Sequence, residues 1–566
     1  MDNIPYSKAK ILASSSETWY IFVPKLFTTL SHYSSSLLKS DIIAAMTVSV
    51  VGLPLAMALA IASGVSPEKG IITAIIAGFL ISLLGGSRYQ IGGPTGAFVA
   101  VVFNIIQKHG YEGLVIATLM AGVMLILFGL LKLGTIIKYI PSPLITGFTA
   151  GIGLIIFTSQ IKDLLGLRLE NLPTDFIPKI SICINHCHEN NPYAIGLAVL
   201  SLAIIIGIRY VRPTFPSFLI ALLVSSGLVY LFTLPVETIG SKFGDISLSF
   251  QLFHFPELSW ELFVKLFPSA FTIAFLAGIE SLLSAVVADS MTGTKHRSNC
   301  ELVAQGFANI GSVLFGGIPA TGAVARTATN IRSGAKTPMS GIIHAILLVL
   351  LASLFAPLAK WVPLSALAAI LIVIAWNMSE IDRFKYFLKG PKSDSTVLIL
   401  TFLLTILVDI TVAFVVGMVM ALLLFARRMI EIQEERLQKE ILEGDKDDVI
   451  EPSELPSIPK DTQVIHLSSP LFFGIASLLK EILERLSEAP KVIILEMQAV
   501  PFMDATAMYA LESFIEKASK EKKKVILCAP NTRVQKVLIR MGINQSSYPV
   551  NITANLKEAL AFAQQK

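Results

Sequence analysis

Long apolar runs, separated by short polar segments, fill most of the chain between residues 41 and 430. A membrane-spanning helix needs about 20 predominantly apolar residues. By this criterion we divide the region into fourteen candidate spans: 41–62, 70–86, 93–107, 113–133, 143–161, 193–209, 216–234, 266–288, 301–316, 321–331, 338–358, 363–378, 395–410 and 411–429. The pattern therefore predicts an α-helical polytopic membrane protein.

The third span in each set of seven is too short to cross a bilayer alone. Each follows a break that contains Gly and Pro, at residues 92–97 in the first half and 317–323 in the second. Thr95 and Thr321 occupy matching positions in the two breaks, 226 residues apart. Interrupted helices at corresponding positions of two membrane halves are typical of transporters with an inverted repeat, and their N-termini form a binding site at the midplane. The sequence thus predicts a 7+7 inverted repeat.

The pattern changes after residue 430. Residues 431–456 are a charged linker that begins as a helix, and residues 457–566 alternate short strands and helices, which indicates a small α/β domain. Strands are predicted at 462–467, 492–496 and 525–528, and helices at 475–486, 505–518 and 532–541. Residues 1–40 are predicted to be a cytoplasmic N-terminal segment, and 41–430 the transport domain.

Charge refines this interpretation. Only 15% of the 566 residues are charged, against about 25% in soluble proteins. Predicted cytoplasmic loops carry fifteen Lys and Arg residues and outer loops eight, so both termini are expected in the cytoplasm, at the inner membrane of a bacterium. No basic face indicates a nucleic-acid partner.

Two ionisable residues inside spans are the main candidates for function, because such residues are costly and rare in a bilayer. Glu280 could exchange a proton during transport, or be held by hydrogen bonds between helices. Arg326 lies one turn into the short tenth span, where the helix N-terminus is already partly positive. With the N–H groups of residues 322–324 it would form an anion site, unless it faces the cytoplasm.

Small residues complete the candidate site. Thr95, Gly96 and Ala97 form the opposite helix N-terminus, where small side chains let the backbone approach a ligand. Ser281 and Ser284 flank Glu280, and either contribute to the site or bond back to their own helix.

Residues 280–293, 302–306, 315–322 and 326–330 resemble the SulP anion-permease family. Residues 500–507 resemble the STAS domain that such proteins carry, so the resemblance covers nearly the whole chain. It implies core and gate subdomains, half-helices 3 and 10 that face each other across the substrate, homodimers, and cytoplasmic protein partners for the STAS domain. The substrate-binding and ion-coupling residues that it implies are Leu55, Leu59, Thr95, Glu280, Ser284, Ala323, Val324, Ala325 and Arg326.

Some positions depart from the family. Some animal relatives have Gln and Phe at the positions of Leu55 and Leu59, and Ser at the positions of Ala323 and Ala325. The pocket of this chain is therefore more apolar than theirs. Cyanobacterial bicarbonate members, which bind sodium nearby, have Asp in place of Glu280; the longer Glu fits proton coupling better.

The predicted function is secondary active transport of an anion by alternating access, as proton-coupled uptake of sulfate or a small carboxylate or dicarboxylate. The alternatives are sodium-coupled bicarbonate symport, exchange of the chloride/bicarbonate type, a scaffold or sensor built on the STAS domain, and a nucleobase permease. No nucleophile–base set, Walker loop or dinucleotide fingerprint indicates an enzyme, and no cofactor is predicted.

The Cys183–Cys187 segment contains two Cys and His186. A polar loop is the simplest interpretation; the residue types also suit a metal site, and a disulfide would require an oxidising compartment.

Overall fold

The computed structural model describes residues 22–31, 33–135, 141–169, 173, 175–212, 215–244, 260–408, 410–442, 458–459, 461–473, 491–543 and 550–564. The chain divides into two compact units, residues 1–421 and 422–566. Each is described separately below.

The first unit is helical. Its helices are α1 Lys25–Leu30, α2 Ser35–Ala62, α3 Pro67–Leu84, α4 Gly96–Leu130, α5 Ser142–Leu165, α6 Phe176–Asn185, α7 Pro192–Val211, α8 Ser217–Phe232, α9 Ile239–Phe243, α10 Trp260–Thr292, α11 Ser298–Leu314, α12 Val324–Arg332, α13 Met339–Ala359, α14 Leu364–Met378, α15 Ile381–Leu388, α16 Lys392–Leu407 and α17 Ile410–Leu442, which runs past residue 421. Two short strands, β1 Gly92–Gly93 and β2 Thr321–Gly322, precede α4 and α12. Among the described residues, eight helical segments are long and apolar enough to cross a bilayer.

Every one of the fourteen predicted spans falls on a helix. The third and fourth spans share α4, which is divided where Gly110 leaves helical backbone at φ 68°. The sequence did not predict α6, α9 or α15, or the strands β1 and β2, because these elements are short and lack a long apolar run.

The helices of the first unit pack in two groups. The core group contains α2–α4 and α10–α13, and α4 packs closely along α10 and α11. The gate group contains α5–α8 and α14–α16, and α5 packs along α14 and α16. The start of α17 packs against α16, since a Cβ on Gly417 would lie 2.5 Å from Thr401 Oγ1. Small residues allow the close approach of α4 and α11, because a Cβ on Gly306 would lie 2.5 Å from the Gly122 carbonyl oxygen. The two groups combine helices from both halves of the sequence, as the resemblance implies.

The second unit contains a parallel four-stranded sheet in the order β3 Thr462–His466, β4 Val492–Glu496, β5 Lys524–Cys528 and β6 Val550–Thr553. Its described helices are α18 Ala505–Lys520, α19 Thr532–Arg540 and α20 Leu556–Gln564. Apolar residues of α18 and α19 cover one face of the sheet, and α20 covers the other. Asp504 caps the N-terminus of α18, since its carboxylate accepts a hydrogen bond of 2.8 Å from Ala507 N–H. The predicted α/β domain is confirmed, with β6 and α20 as additions.

Several predictions lie outside the described residues: the helix at 475–486, linker residues 443–456, and residues 1–21. The domain boundaries 1–40, 41–430, 431–456 and 457–566 stay a prediction.

Candidate functional site

The two predicted breaks meet in the core group. Strands β1 and β2 pair antiparallel, with Gly92 opposite Gly322 and Gly93 opposite Thr321. The pairing continues where Ala323 N–H donates to the Ile91 carbonyl at 2.9 Å. Because α4 and α12 start immediately after these strands, the pairing brings their N-termini together.

The first turns of both helices offer backbone N–H groups that intrahelical bonds leave unused. In α12 the first such bond runs from Thr327 N–H to Ala323, so Val324, Ala325 and Arg326 precede it. Ala323 provides no side-chain cap, and Thr95 does not cap α4. These turns therefore favour an anion.

The prediction that N–H groups 322–324 face a ligand is wrong for the first two. Gly322 N–H donates to Ser281 Oγ at 3.0 Å, and Ala323 N–H is used by Ile91. The available donors lie about two residues further along α12 because two tertiary contacts, with the Ser281 hydroxyl and with the Ile91 carbonyl, use the earlier ones.

Arg326 is buried, with 3% of its surface exposed. Its Nη2 donates to the Pro94 carbonyl at 2.5 Å, just before α4. Nε and Nη1 are buried without a hydrogen-bond partner, and among the described residues no carboxylate lies within ion-pair distance. The alternative that Arg326 faces the cytoplasm is excluded. A buried cation without a counter-charge is costly, so the local charge favours a bound anion.

Glu280 connects α10 to the start of α4. Thr95 Oγ1 donates a hydrogen bond of 3.0 Å to Glu280 Oε2. Glu280 as a whole residue is half-buried. Since Pro94, next to Thr95, accepts the Arg326 hydrogen bond, the acidic and basic candidates contact adjacent residues of one break.

Hydrogen bonds between hydroxyl groups connect α10 to the second break, residues 317–323, and to α12. Ser284 Oγ donates to Thr327 Oγ1 at 3.1 Å, and Ser281 Oγ lies 2.6 Å from Thr321 Oγ1. Thr327 Oγ1 also accepts from Ile91 N–H at 3.1 Å. These hydroxyls bond across helices rather than only back to α10. The role of Ser284 in ion coupling stays a prediction.

The other candidate residues, on α2, α4 and α12, differ in how far they are exposed. Leu55 and Val324 are half-buried and Ala325 is exposed, whereas Leu59, Gly96, Ala97 and Ala323 are buried. Gly96 approaches the gate group, since a Cβ there would lie 2.3 Å from Met378 Sδ. Their contact with a substrate stays a prediction.

Sequence reasoning missed buried polar residues beside the breaks. Gln90 packs against Gly322, and both polar atoms of its amide are buried without a partner. His344 on α13 is fully buried; its Nδ1 lies 2.7 Å from Ser49 Oγ, and its Nε2 is unpaired. His344 is a polar residue inside an apolar segment, which is the signal that singled out Glu280, whereas Gln90 lies in the polar segment between two predicted spans and carries no such signal.

Cys183 is buried, Cys187 is exposed, and both are free thiols, so the disulfide alternative is not formed. Within the described ranges no cluster of three His, Cys, Asp or Glu residues suits a metal ion.

Replacing Gly93 with Ala should destabilise the site. Gly93 has φ +142°, which non-glycine residues rarely adopt, and a Cβ there would lie 2.6 Å from Arg326 Nη1. We expect a loss of about 1–3 kcal/mol in the free energy of unfolding, measured by thermal denaturation in detergent. Gly196→Ala is the control, because a Cβ at Gly196 meets no atom within 4 Å. Equal stability of both variants would contradict the assignment.

Comparison with known proteins places this arrangement in a family. The sulfate permease family matches residues 38–401, and the STAS domain matches residues 455–559. The "Putative sulfate transporter YvdB" of Bacillus subtilis (strain 168) is 44% identical over 513 residues, covering 90% of this chain and 95% of that protein. The "Bicarbonate transporter BicA" of Picosynechococcus sp. is 30% identical over 550 residues, covering 93% and 94% respectively.

The solved structure of SLC26A9 superimposes with a TM-score of 0.83 at 16% identity, covering 100% of this chain and 97% of that one. At this identity the likeness shows the fold alone. Together with the matched families, it means that this chain belongs to the sulfate permease family of membrane anion transporters and carries a STAS domain.

Proposed function

We propose that this protein is a secondary active transporter that couples uptake of a small anion, sulfate or a carboxylate, to protons by alternating access. The observation that carries the proposal is Arg326: a buried guanidinium with two unpaired nitrogen atoms, at the meeting point of two helix N-termini. An anion placed there would gain charge-assisted hydrogen bonds from Arg326 and from the first turn of α12.

Glu280 supports proton coupling. Its carboxylate bonds to Thr95, the residue that precedes α4, at 3.0 Å. An anion bound at this helix end would repel an ionised Glu280, because like charges disfavour each other's charged form. Binding of substrate and binding of a proton at Glu280 would therefore promote each other, which is the thermodynamic requirement for symport.

The relatives narrow the choice of substrate without fixing it. One carries the name of a sulfate transporter and the other that of a bicarbonate transporter. Both anions are small and oxygen-rich, and suit N–H donors and a guanidinium. We propose sulfate first, because the sulfate-named relative is 44% identical and the bicarbonate-named one 30%.

In proteoliposomes, an inward proton gradient should drive accumulation of radiolabelled sulfate. With the membrane potential clamped at zero by valinomycin and equal potassium, one proton per anion and one pH unit support about tenfold accumulation. Fumarate and bicarbonate, tested in parallel, would reveal a different anion. No accumulation of any of the three, with or without the gradient, would contradict the proposal.

Sodium coupling is the second candidate, because Thr95 Oγ1 and a Glu280 carboxylate oxygen lie 3.0 Å apart and hard cations prefer oxygen ligands. It predicts that replacing sodium by choline stops bicarbonate uptake. It also predicts that Thr95→Val, which removes one oxygen ligand, raises the sodium concentration needed for half-maximal uptake. Uptake unchanged in choline would exclude this candidate.

We further propose a homodimer in the inner membrane of a bacterium, with both termini in the cytoplasm. The excess of Lys and Arg in alternate loops supports this orientation.

A further inference from the structure

A cavity of about 110 Å³ lies further along α4, between the core and gate groups. On the α4 side, Ala100, Asn104 and Lys108 line it, together with Val99 and Phe103. Counted from Gly96 at 3.6 residues per turn, position 100 lies about 40° around the helix, position 104 about 80° and position 108 about 120°. At 1.5 Å per residue, Ala100 lies roughly 6 Å and Lys108 roughly 18 Å beyond Gly96. The cavity thus lies beyond the candidate anion site along α4, and its lining turns gradually around the helix.

The gate side of this cavity contains a buried cation. Lys179 on α6 has 3% of its surface exposed. Its ammonium group donates to Ser159 Oγ at 3.1 Å and lies 5.6 Å from the ring centroid of Phe103. Among the residues that the structure describes, no carboxylate lies within ion-pair distance of it. A buried ammonium needs a counter-charge or several acceptors, and its one described hydrogen bond is to a neutral hydroxyl.

The charged residues of the described lining differ in burial. Lys108 and Asp175 also line the cavity, and both are exposed, so Lys179 is the buried charge among the described lining residues. Burial lowers the pKa of Lys179 below its usual range, and the nearby Cys183 and Asp175 act in the opposite direction. An anion in the cavity would stabilise the charged ammonium.

We propose that this cavity is an outer anion-binding site, in which Lys179 holds the incoming anion before it reaches the site at Arg326. This inference rests on the proposed function and on the proposed orientation, which puts α6 on the outer side. The ligand is of the same chemical class as the substrate: a small, oxygen-rich inorganic or carboxylate anion.

The test is transport kinetics measured from each side of proteoliposomes of defined orientation, with labelled sulfate as the probe. Lys179→Gln should raise the KM for external sulfate about tenfold at an unchanged influx kcat, and should lower the efflux kcat about tenfold at an unchanged KM for internal sulfate, because kcat/KM without a gradient must be the same in both directions. Lys179→Arg, which keeps the charge, should behave as wild type. Lys265→Gln is the matched control, since Lys265 is exposed in the first turns of α10 and does not line the cavity.

Elution profile and thermal stability report whether Lys179→Gln is folded. If it is not, Lys108→Gln should raise the external KM by a smaller factor. If the wild type transports sulfate and folded Lys179→Gln has an unchanged external KM, the outer site is overturned. The proposed function is then unaffected. A rise in the KM for internal sulfate as large as that for external sulfate, or an equal rise of the external KM in Lys265→Gln, would overturn the outer site as well. Absence of transport by the wild type would instead refute the proposed function.

Discussion

Arg326→Gln is expected to weaken anion binding by about 2–3 kcal/mol, or roughly 30- to 140-fold in affinity. The guanidinium is buried, has two unpaired nitrogen atoms and lacks a carboxylate within ion-pair distance in the described part of the chain. The substitution removes the positive charge and the N–H donors of the guanidinium together. Affinity is measured by the rise in melting temperature on titration with sulfate, and transport by uptake into proteoliposomes.

Two further variants separate a role of Arg326 in anion binding from a structural role, since Arg326 also donates a hydrogen bond to the Pro94 carbonyl. Arg332→Gln removes the same charge from an exposed position on the same helix and should bind sulfate as wild type does. Arg326→Lys keeps the charge without the fork and should have intermediate affinity. If Arg326→Gln lowered the melting temperature but kept the sulfate affinity, Arg326 would stabilise the structure and would not bind the anion.

The spans and the breaks were predictable from the sequence because both follow local rules. A run of about 20 apolar residues forms a helix in a bilayer, since every backbone polar group must be satisfied internally. Gly and Pro in matching positions of the two halves identified the starts of α4 and α12. Strands β1 and β2 were not predictable in this way, because a two-residue strand has no periodicity of its own.

The hydrogen-bond partners of the backbone N–H groups before α12 were not predictable either, because they depend on tertiary contacts around the paired strands β1 and β2. Once β1 pairs with β2, Ile91 uses the N–H of Ala323 and Ser281 uses that of Gly322. The donors available to a ligand consequently begin at Val324, which no local rule reveals. Ser284 likewise bonds to Thr327 on another helix, a choice that only the packing of α10 against α12 determines.

The coupling ion is a different kind of question. A hydroxyl next to a carboxylate, as at Thr95 and Glu280, suits a shared proton and a bound sodium ion alike, because both use oxygen atoms. The sequence supplies the oxygen atoms and the structure brings them to 3.0 Å. Only the response of transport to each ion separates the two mechanisms.

Glu280→Gln is expected to abolish proton-driven accumulation while leaving exchange. Glutamine has the size of a protonated glutamate but cannot release a proton, so the substrate-loaded protein should still alternate. With the potential clamped at zero and a gradient of one pH unit, the accumulation ratio for sulfate should fall from about ten to about one. Counterflow of labelled sulfate at equal pH should persist.

The matched control is Glu261→Gln, an exposed carboxylate in the first turn of the same helix, α10, and it should accumulate sulfate as wild type does. Glu280→Asp retains an ionisable group but shortens the reach to Thr95, so it should keep some proton-driven accumulation. Full proton-driven accumulation in Glu280→Gln would place the coupling proton elsewhere. Loss of counterflow as well would mean that the carboxylate is needed for movement or binding, and the assignment of Glu280 as the group that carries the proton would fail.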